Sequence, residues 1–267
     1  MYEMNINYPV ANLYRLPNEH VEVISQAIYG WKVKIIKKDD KFYLVETVDG
    51  YQGWINPIQM IESNTISSFP LIKITSNAAH IYKSPHVNRE KPFLTLPFEV
   101  ELPLLETLEE EEGRWLQIQL MNGEKGWIQK GDITLDLFST NLEKVVDGSQ
   151  QFLNLPYTWG GVSSFGYDCS GFIQMIFRQV KIILPRDASQ QITFPLFQFI
   201  DWNNKERGDV IFFGSNDDSI KHVGLYLGND QLIHASVKPK PTLQISSLEE
   251  PSLKNRFGYR TVRRLKI

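Results

Sequence analysis

Asp168-Cys169-Ser170-Gly171-Phe172-Ile173-Gln174-Met175-Ile176-Phe177-Arg178-Gln179-Val180 is the stretch on which the reading of this chain turns. From Gly171 to Val180 it is apolar and unbroken for long enough to form a buried helix, and Asp168 to Gly171 open that helix. Downstream, Asp209 to Phe213, His222 to Leu227 and Gln231 to Ala235 read as strands, the last two joined by the tight turn Gly228-Asn229-Asp230. Upstream, Thr140-Asn141-Leu142-Glu143 fits a capping box, and Leu142, Val145, Val146, Phe152 and Leu153 suit an amphipathic helix that ends before Pro156. A helix packed on an antiparallel sheet is the simplest assembly, so an α+β domain is expected over residues 137–267.

The first half has a different character, and it repeats. Phe42-Tyr43-Leu44-Val45 and Asp49-Gly50-Tyr51-Gln52-Gly53-Trp54-Ile55 return, 73 residues later, as Trp115-Leu116-Gln117-Ile118 and Asn122-Gly123-Glu124-Lys125-Gly126-Trp127-Ile128. Leu13-Tyr14-Arg15-Leu16-Pro17 returns 68 residues later as Ile81-Tyr82-Lys83-Ser84-Pro85. The difference of five residues is assigned to the acidic stretch between Glu106 and Glu112, with Glu109 to Glu112 as a solvated loop. Asp49-Gly50 and Asn122-Gly123 are hairpin signals, expected as type I′ turns. Short alternating strands predict two small barrels, at residues 1–65 and 66–136.

Composition bounds what such a chain does. With 42% hydrophobic and 22% charged residues, the 267-residue chain has material for real cores. A net charge of −3 gives no electrostatic footprint for nucleic acid or for an anionic membrane surface, so neither partner is expected. The first residues carry no basic start followed by an apolar stretch, which leads us to expect a cytoplasmic protein; a removed leader would leave the same sequence. One cysteine excludes an intrachain disulfide and any multi-cysteine zinc site, and no histidine–carboxylate spacing suits a metal. No Gly-rich phosphate loop is present, so no cofactor is implied, and a monomer is expected.

A lone thiol is ordinarily a small buried hydrophobe, and Cys169 must exceed that reading on its context. A helix N-terminus favours negative charge, which places Cys169 where a thiolate nucleophile is useful. The thiol needs a base, held in turn by a third polar group. His20, His80 and His86 fall in the repeats and read as surface residues. His222 and His234 lie on adjacent expected strands, so that one faces the thiol while the other fixes its ring. Taken singly, each is better explained as a packed or surface histidine; taken with Cys169, the functional reading is the better one.

At this point a resemblance enters. Pro156-Tyr157-Thr158-Trp159-Gly160-Gly161, Asp168-Cys169-Ser170-Gly171-Phe172, Leu184-Pro185-Arg186, Gly208-Asp209-Val210, His222-Val223-Gly224 and Ile233-His234-Ala235 occur in the order seen in NlpC/P60 cell-wall peptidases. The repeats, with their Gly-Trp-Ile endings, resemble bacterial SH3-like domains. The expected architecture is therefore α+β, a papain-like NlpC/P60 catalytic domain preceded by two small all-β SH3-like barrels. The resemblance implies Cys169 as nucleophile, His222 as general base, His234 as orienting residue, and Tyr157 as a hydroxyl near the oxyanion. A core aromatic remains the alternative for Tyr157, and packing is expected for Trp159.

The same resemblance implies cleavage between γ-D-glutamate and a diamino acid, meso-diaminopimelate or L-lysine, in peptidoglycan stems. Tandem SH3-like domains resemble a narrower subgroup that acts on stems with a free N-terminal L-alanine. A free ammonium needs carboxylate and hydroxyl partners. Asp168, Ser170 and Asp187 are the candidates beside Cys169, with Arg186 for a substrate carboxylate and Glu22 and Tyr51 from the first barrel. Arg186-Asp187 is closer to the recycling subgroup than to wall-lytic relatives, whereas Ala188 lacks the hydroxyl frequent there. Asp187 as a helix cap and Glu22 as a solvated charge are the plainer alternatives. Two other functions stay open: an exported wall-lytic endopeptidase and a non-catalytic wall-peptide-binding protein.

Overall fold

The computed structural model describes residues 2–62, 69–107, 113–254 and 256–266; the Glu109 to Glu112 loop and the expected boundary at 65/66 lie outside them. The chain divides into two compact units, Met1–Leu137 with Ser163–Phe165, and Phe138–Val162 with Gly166–Ile267.

In the first unit, antiparallel strands between Glu3 and Glu62 form a seven-stranded sheet around Ile6, Ala11, Leu13, Ala27, Val33, Val45 and Ile55. The segment from Leu71 to Thr134 builds a five-stranded sheet and a two-stranded one. The two segments are tied together inside this unit. The Tyr29 hydroxyl accepts the Met121 backbone N–H at 2.7 Å, in a setting that buries both residues.

The sequence repeat is a structural repeat. Leu44 pairs with Trp54, and 73 residues on Gln117 pairs with Trp127. Tyr14 pairs with Trp54, and Tyr82 bridges Trp127. Each Gly of the two Gly-Trp-Ile triplets lies against an early strand of its own copy, Val10–Tyr14 for Gly53 and Ala78–Ile81 for Gly126. A Cβ on Gly53 would lie 2.8 Å from Leu13 Cβ, and one on Gly126 would lie 2.4 Å from Ile81 Cγ2. The hairpins form as expected, but not with type I′ turns. Gly50 and Gly123 alone take positive φ in these loops, at 78° and 83°. Gly50 N–H bonds to Thr47 O and Thr47 N–H to Tyr51 O, and Leu120, Gly123 and Glu124 repeat the pattern. This is a type I turn closed by a left-handed glycine, in which Asp49 and Asn122 need no positive φ.

In the second unit, the helix Leu142–Gly148 is followed by a 3-10 turn at Ser149–Phe152. Its cap is Asn141, whose side chain accepts the Lys144 N–H, and not Thr140, which lies one position too early. The helix Cys169–Arg178 buries Phe172, Ile173, Met175, Ile176 and Phe177. Phe172 meets Phe152 and Tyr167 in edge-on ring contacts with centroids 6.3 and 5.7 Å away, a geometry that aromatic quadrupoles favour. A six-stranded antiparallel sheet runs Phe197–Ile200, Tyr259–Leu265, Val210–Gly214, Ile220–Gly228, Gln231–Ser236, Thr242–Ser247. The Cys169 helix packs on the third and second strands from the Thr242 edge, Ile220–Gly228 and Gln231–Ser236.

The close approach at Gly126 makes a stability prediction. Gly126→Ala should cost about 1–3 kcal/mol through overpacking against Ile81, read by urea unfolding. Gly131→Ala, where a new Cβ meets nothing within 4 Å, should change stability by less than about 0.5 kcal/mol. Equal effects of the two substitutions would contradict this packing.

Candidate active site

Asp168 organises the start of the Cys169 helix. As N-cap it takes an extended backbone, and its Oδ1 accepts the Gly171 N–H at 2.8 Å. Its Oδ2 accepts the Gly160 N–H at 3.1 Å, which ties the Gly160-Gly161 turn to the helix. Gly171 is required by the same contact, because a Cβ there would lie 2.1 Å from Gly161 O. Arg186 completes the arrangement, with Nη2 donating to Oδ2 at 2.5 Å and Nη1 to Oδ1 at 3.2 Å. Nη1 also donates to Ser170 Oγ at 2.8 Å. Gln191 donates to Ser170 O and Pro185 O, which fixes the loop carrying Arg186.

Arg186 therefore differs from the expectation of a carboxylate-binding guanidinium. Its side chain is 2% exposed, and both terminal nitrogens are engaged by Asp168 and Ser170. A buried guanidinium needs such partners, and here the chain supplies them. Asp187 stands at the N-cap position of the short helix Ala188–Gln191, where its carbonyl accepts the Gln190 and Gln191 N–H groups and its carboxylate makes no capping bond. Trp159, expected in the packing, is 63% exposed. Glu22 and Tyr51 belong to the first unit. Glu22 is exposed and pairs with Arg15 at 2.6 Å, and the Tyr51 carbonyl closes the Thr47 turn. His20, His80 and His86 are exposed, as their positions in the repeats suggest.

Cys169 is partly exposed at the helix N-terminus. Its sulfur is met by the backbone N–H groups of Val223 and Ser170, which puts the thiol against the strand that carries His222. Leu225 pairs with Ile233 and Tyr226 with Leu232, and continuing that register sets His234 diagonally across from His222 on the same face. The two rings meet, with His222 Nε2 2.7 Å from His234 Nδ1. Both histidines are buried, His234 completely. Tyr157 is held by its N–H on Pro241 O and lies close enough to feel the charges of Cys169 and Asp168.

The electrostatics favour uncharged groups. Burial pushes the Cys169 thiol up to about 12, and the Asp168 carboxylate acts in the same direction, against the Val223 and Ser170 N–H groups and the Arg186 charge. Burial takes His222 well below the usual imidazole range, and the His234 and Arg256 charges add to the effect. Burial brings His234 down to about 4, opposed by Glu250. Burial also raises the Tyr157 hydroxyl. The expected preference of the helix N-terminus for a thiolate is present in the Ser170 N–H, and the Val223 N–H from the strand adds to it, but desolvation outweighs both.

Sequence reading missed the groups around His222. Phe257 lies parallel to its imidazole, at 4° with centroids 5.6 Å apart, and Phe213 flanks the ring at 5.8 Å. Phe213 sits directly across from His222 in the strand pairing, a relation legible once the strand register is known. Phe257 follows the turn of helix Pro251–Lys254 and belongs to no motif, so nothing in the sequence pointed to it.

Residues 154–262 match the family model described as "NlpC/P60 family", and residues 13–57 match "Bacterial dipeptidyl-peptidase Sh3 domain". Every residue of the candidate site lies within the stretch 154–262 that is similar to the NlpC/P60 family. The chain is 28% identical over 245 residues to a gamma-D-glutamyl-L-lysine dipeptidyl-peptidase of Bacillus cereus, covering 85% of this chain and 71% of that protein. It is 29% identical to dipeptidyl-peptidase 6 of Lysinibacillus sphaericus, covering 90% of each. A crystal structure of an NlpC/P60 family protein from Bacillus cereus superposes with a TM-score of 0.83 at 24% identity, over 99% of this chain and 100% of that one. That likeness shows the fold: an α+β NlpC/P60 domain behind an N-terminal SH3-like part.

Because Cys169 is the sole cysteine, its protonation can be read directly. A raised thiol pKa means that thiolate is scarce at neutral pH and accumulates as pH rises. The rate of iodoacetamide alkylation should climb steadily with pH, with no plateau between about pH 5 and 8. A plateau in that range would reveal a thiolate–imidazolium pair and contradict this account.

Proposed function

We propose that the chain is a cysteine peptidase that hydrolyses the bond between γ-D-glutamate and a diamino acid in peptidoglycan-derived peptides, with Cys169 as nucleophile. The observation that carries this reading is the His222–His234 contact, set on the strand whose Val223 N–H meets the Cys169 sulfur. The names of the relatives from Bacillus cereus and Lysinibacillus sphaericus support the substrate class.

The hydrogen bond between the rings assigns their protons. For His222 to accept a proton through Nδ1, its Nε2–H must donate to His234 Nδ1. His222 takes the Cys169 proton as the sulfur attacks the γ-glutamyl carbonyl carbon, so the thiolate forms only as it is consumed. The resulting imidazolium donates a charge-assisted bond to His234, which makes His234 a positioning residue. The Cys169 N–H and the Tyr157 hydroxyl are the donors for the oxyanion. His222 then protonates the departing amine, and the C–N bond breaks to leave a thioester on Cys169. Water, deprotonated by His222, hydrolyses the thioester and restores the thiol.

Murein-peptide recycling is the role that fits this chemistry, with a free N-terminal L-alanine on the substrate. Asp187 and Asp168 are the carboxylates for its ammonium group, and Ser170 supports Asp168.

Mass spectrometry of a digest tests the reading. The protein should cut L-Ala-γ-D-Glu-L-Lys into L-Ala-γ-D-Glu and lysine, and should cut the N-acetylated peptide at least about tenfold more slowly. Equal cleavage of the two would remove the free-amine requirement. Cleavage of neither would remove the peptidase reading itself.

A further inference from the structure

We propose that Arg256 binds the free α-carboxylate of the γ-linked glutamyl residue and so makes the enzyme select a carboxylate over an amide at that position. This rests on the γ-glutamyl reading above. A γ-linked glutamate differs from an ordinary one in that its α-carboxylate is left free, two methylenes and the Cα from the carbonyl under attack. A site that acts on this linkage has a negative charge to recognise beside its nucleophile.

Arg256 is the cation placed to do so. Its guanidinium carbon lies 5.1 Å from the Phe257 ring centroid, and Phe257 is the ring stacked on His222. His222 and the Arg256 guanidinium thus both contact the Phe257 ring, and Arg256 is exposed. Its charge bears on both His222 and the Tyr157 hydroxyl, the two side chains assigned to the reacting carbonyl. The neighbouring arginines are already paired: Arg260 with Glu249, Arg263 with Asp217, Arg264 with Asp209 and Glu206. Among the described residues no carboxylate forms an ion pair with Arg256.

Left unneutralised, this charge works against the proposed chemistry, because it opposes protonation of His222. A substrate carboxylate on Arg256 cancels that opposition when the substrate is in place. The guanidinium is planar and accepts a carboxylate through two parallel N–H bonds, a geometry that a neutral amide does not match in charge.

The test compares L-Ala-γ-D-Glu-L-Lys with the same peptide carrying a primary amide in place of the α-carboxylate. Wild-type protein should prefer the acid by about 10- to 100-fold in kcat/KM. Arg256→Gln should lose about 10- to 100-fold on the acid and less than about threefold on the amide, and Arg256→Lys should recover part of the loss on the acid only. An equal loss on both peptides would make Arg256 a support for Phe257 and overturn the assignment, as would no loss on either. Wild-type protein that cuts neither peptide would overturn the γ-glutamyl reading, and this proposal with it.

Discussion

The bidentate contact between Asp168 and Arg186 fixes the geometry on which the candidate site depends, because one carboxylate serves three elements at once. It caps the helix that starts at Cys169, holds the Gly160 turn, and neutralises a guanidinium that is almost wholly out of water. A buried charge is tolerated only when paired and hydrogen-bonded, and removing one member of such a pair costs about 3–5 kcal/mol. The pair therefore ties the conformation around Cys169 to the stability of the domain. Arg186 also reaches Ser170, so the residues on both sides of Cys169 are held by one side chain.

Around this fixed point the two histidines are buried, and their burial sets the chemistry. Desolvation raises the thiol and lowers both histidines, so the resting state holds neutral groups. In the mechanism we propose, charge appears only when a proton moves from Cys169 to His222, whose ring already meets His234. Low effective dielectric makes these aligned dipoles count for more than they would in water. The aromatic rings of Phe213 and Phe257 hold the His222 imidazole in its plane without supplying a competing hydrogen bond.

Much of this was legible in the residues. The run from Asp168 to Val180 announced a capped, buried helix, and the spacing of His222 and His234 around Gly228-Asn229-Asp230 announced a hairpin. Both are local signals, set by periodicity and turn chemistry. The 73-residue repeat foretold even the matching of Leu44–Trp54 with Gln117–Trp127, because packing on a glycine constrains each copy alike. What could not be read were properties that depend on distant partners. The inward turn of Arg186, the exposure of Trp159 and the stack of Phe257 on His222 arise from tertiary contacts with no sequence period. The turn type at Gly50 and Gly123 and the cap at Asn141 were misread by a single position or a single φ, where several local solutions differ little in energy.

The most direct measurement of the central claim is turnover of L-Ala-γ-D-Glu-L-Lys by Cys169→Ala, with circular dichroism as the check on folding. If the sulfur forms the thioester, the folded variant should lose at least about a thousandfold in kcat, the scale on which removal of a nucleophile is felt. A folded Cys169→Ala protein that keeps turnover within tenfold of the wild type would contradict covalent catalysis by Cys169.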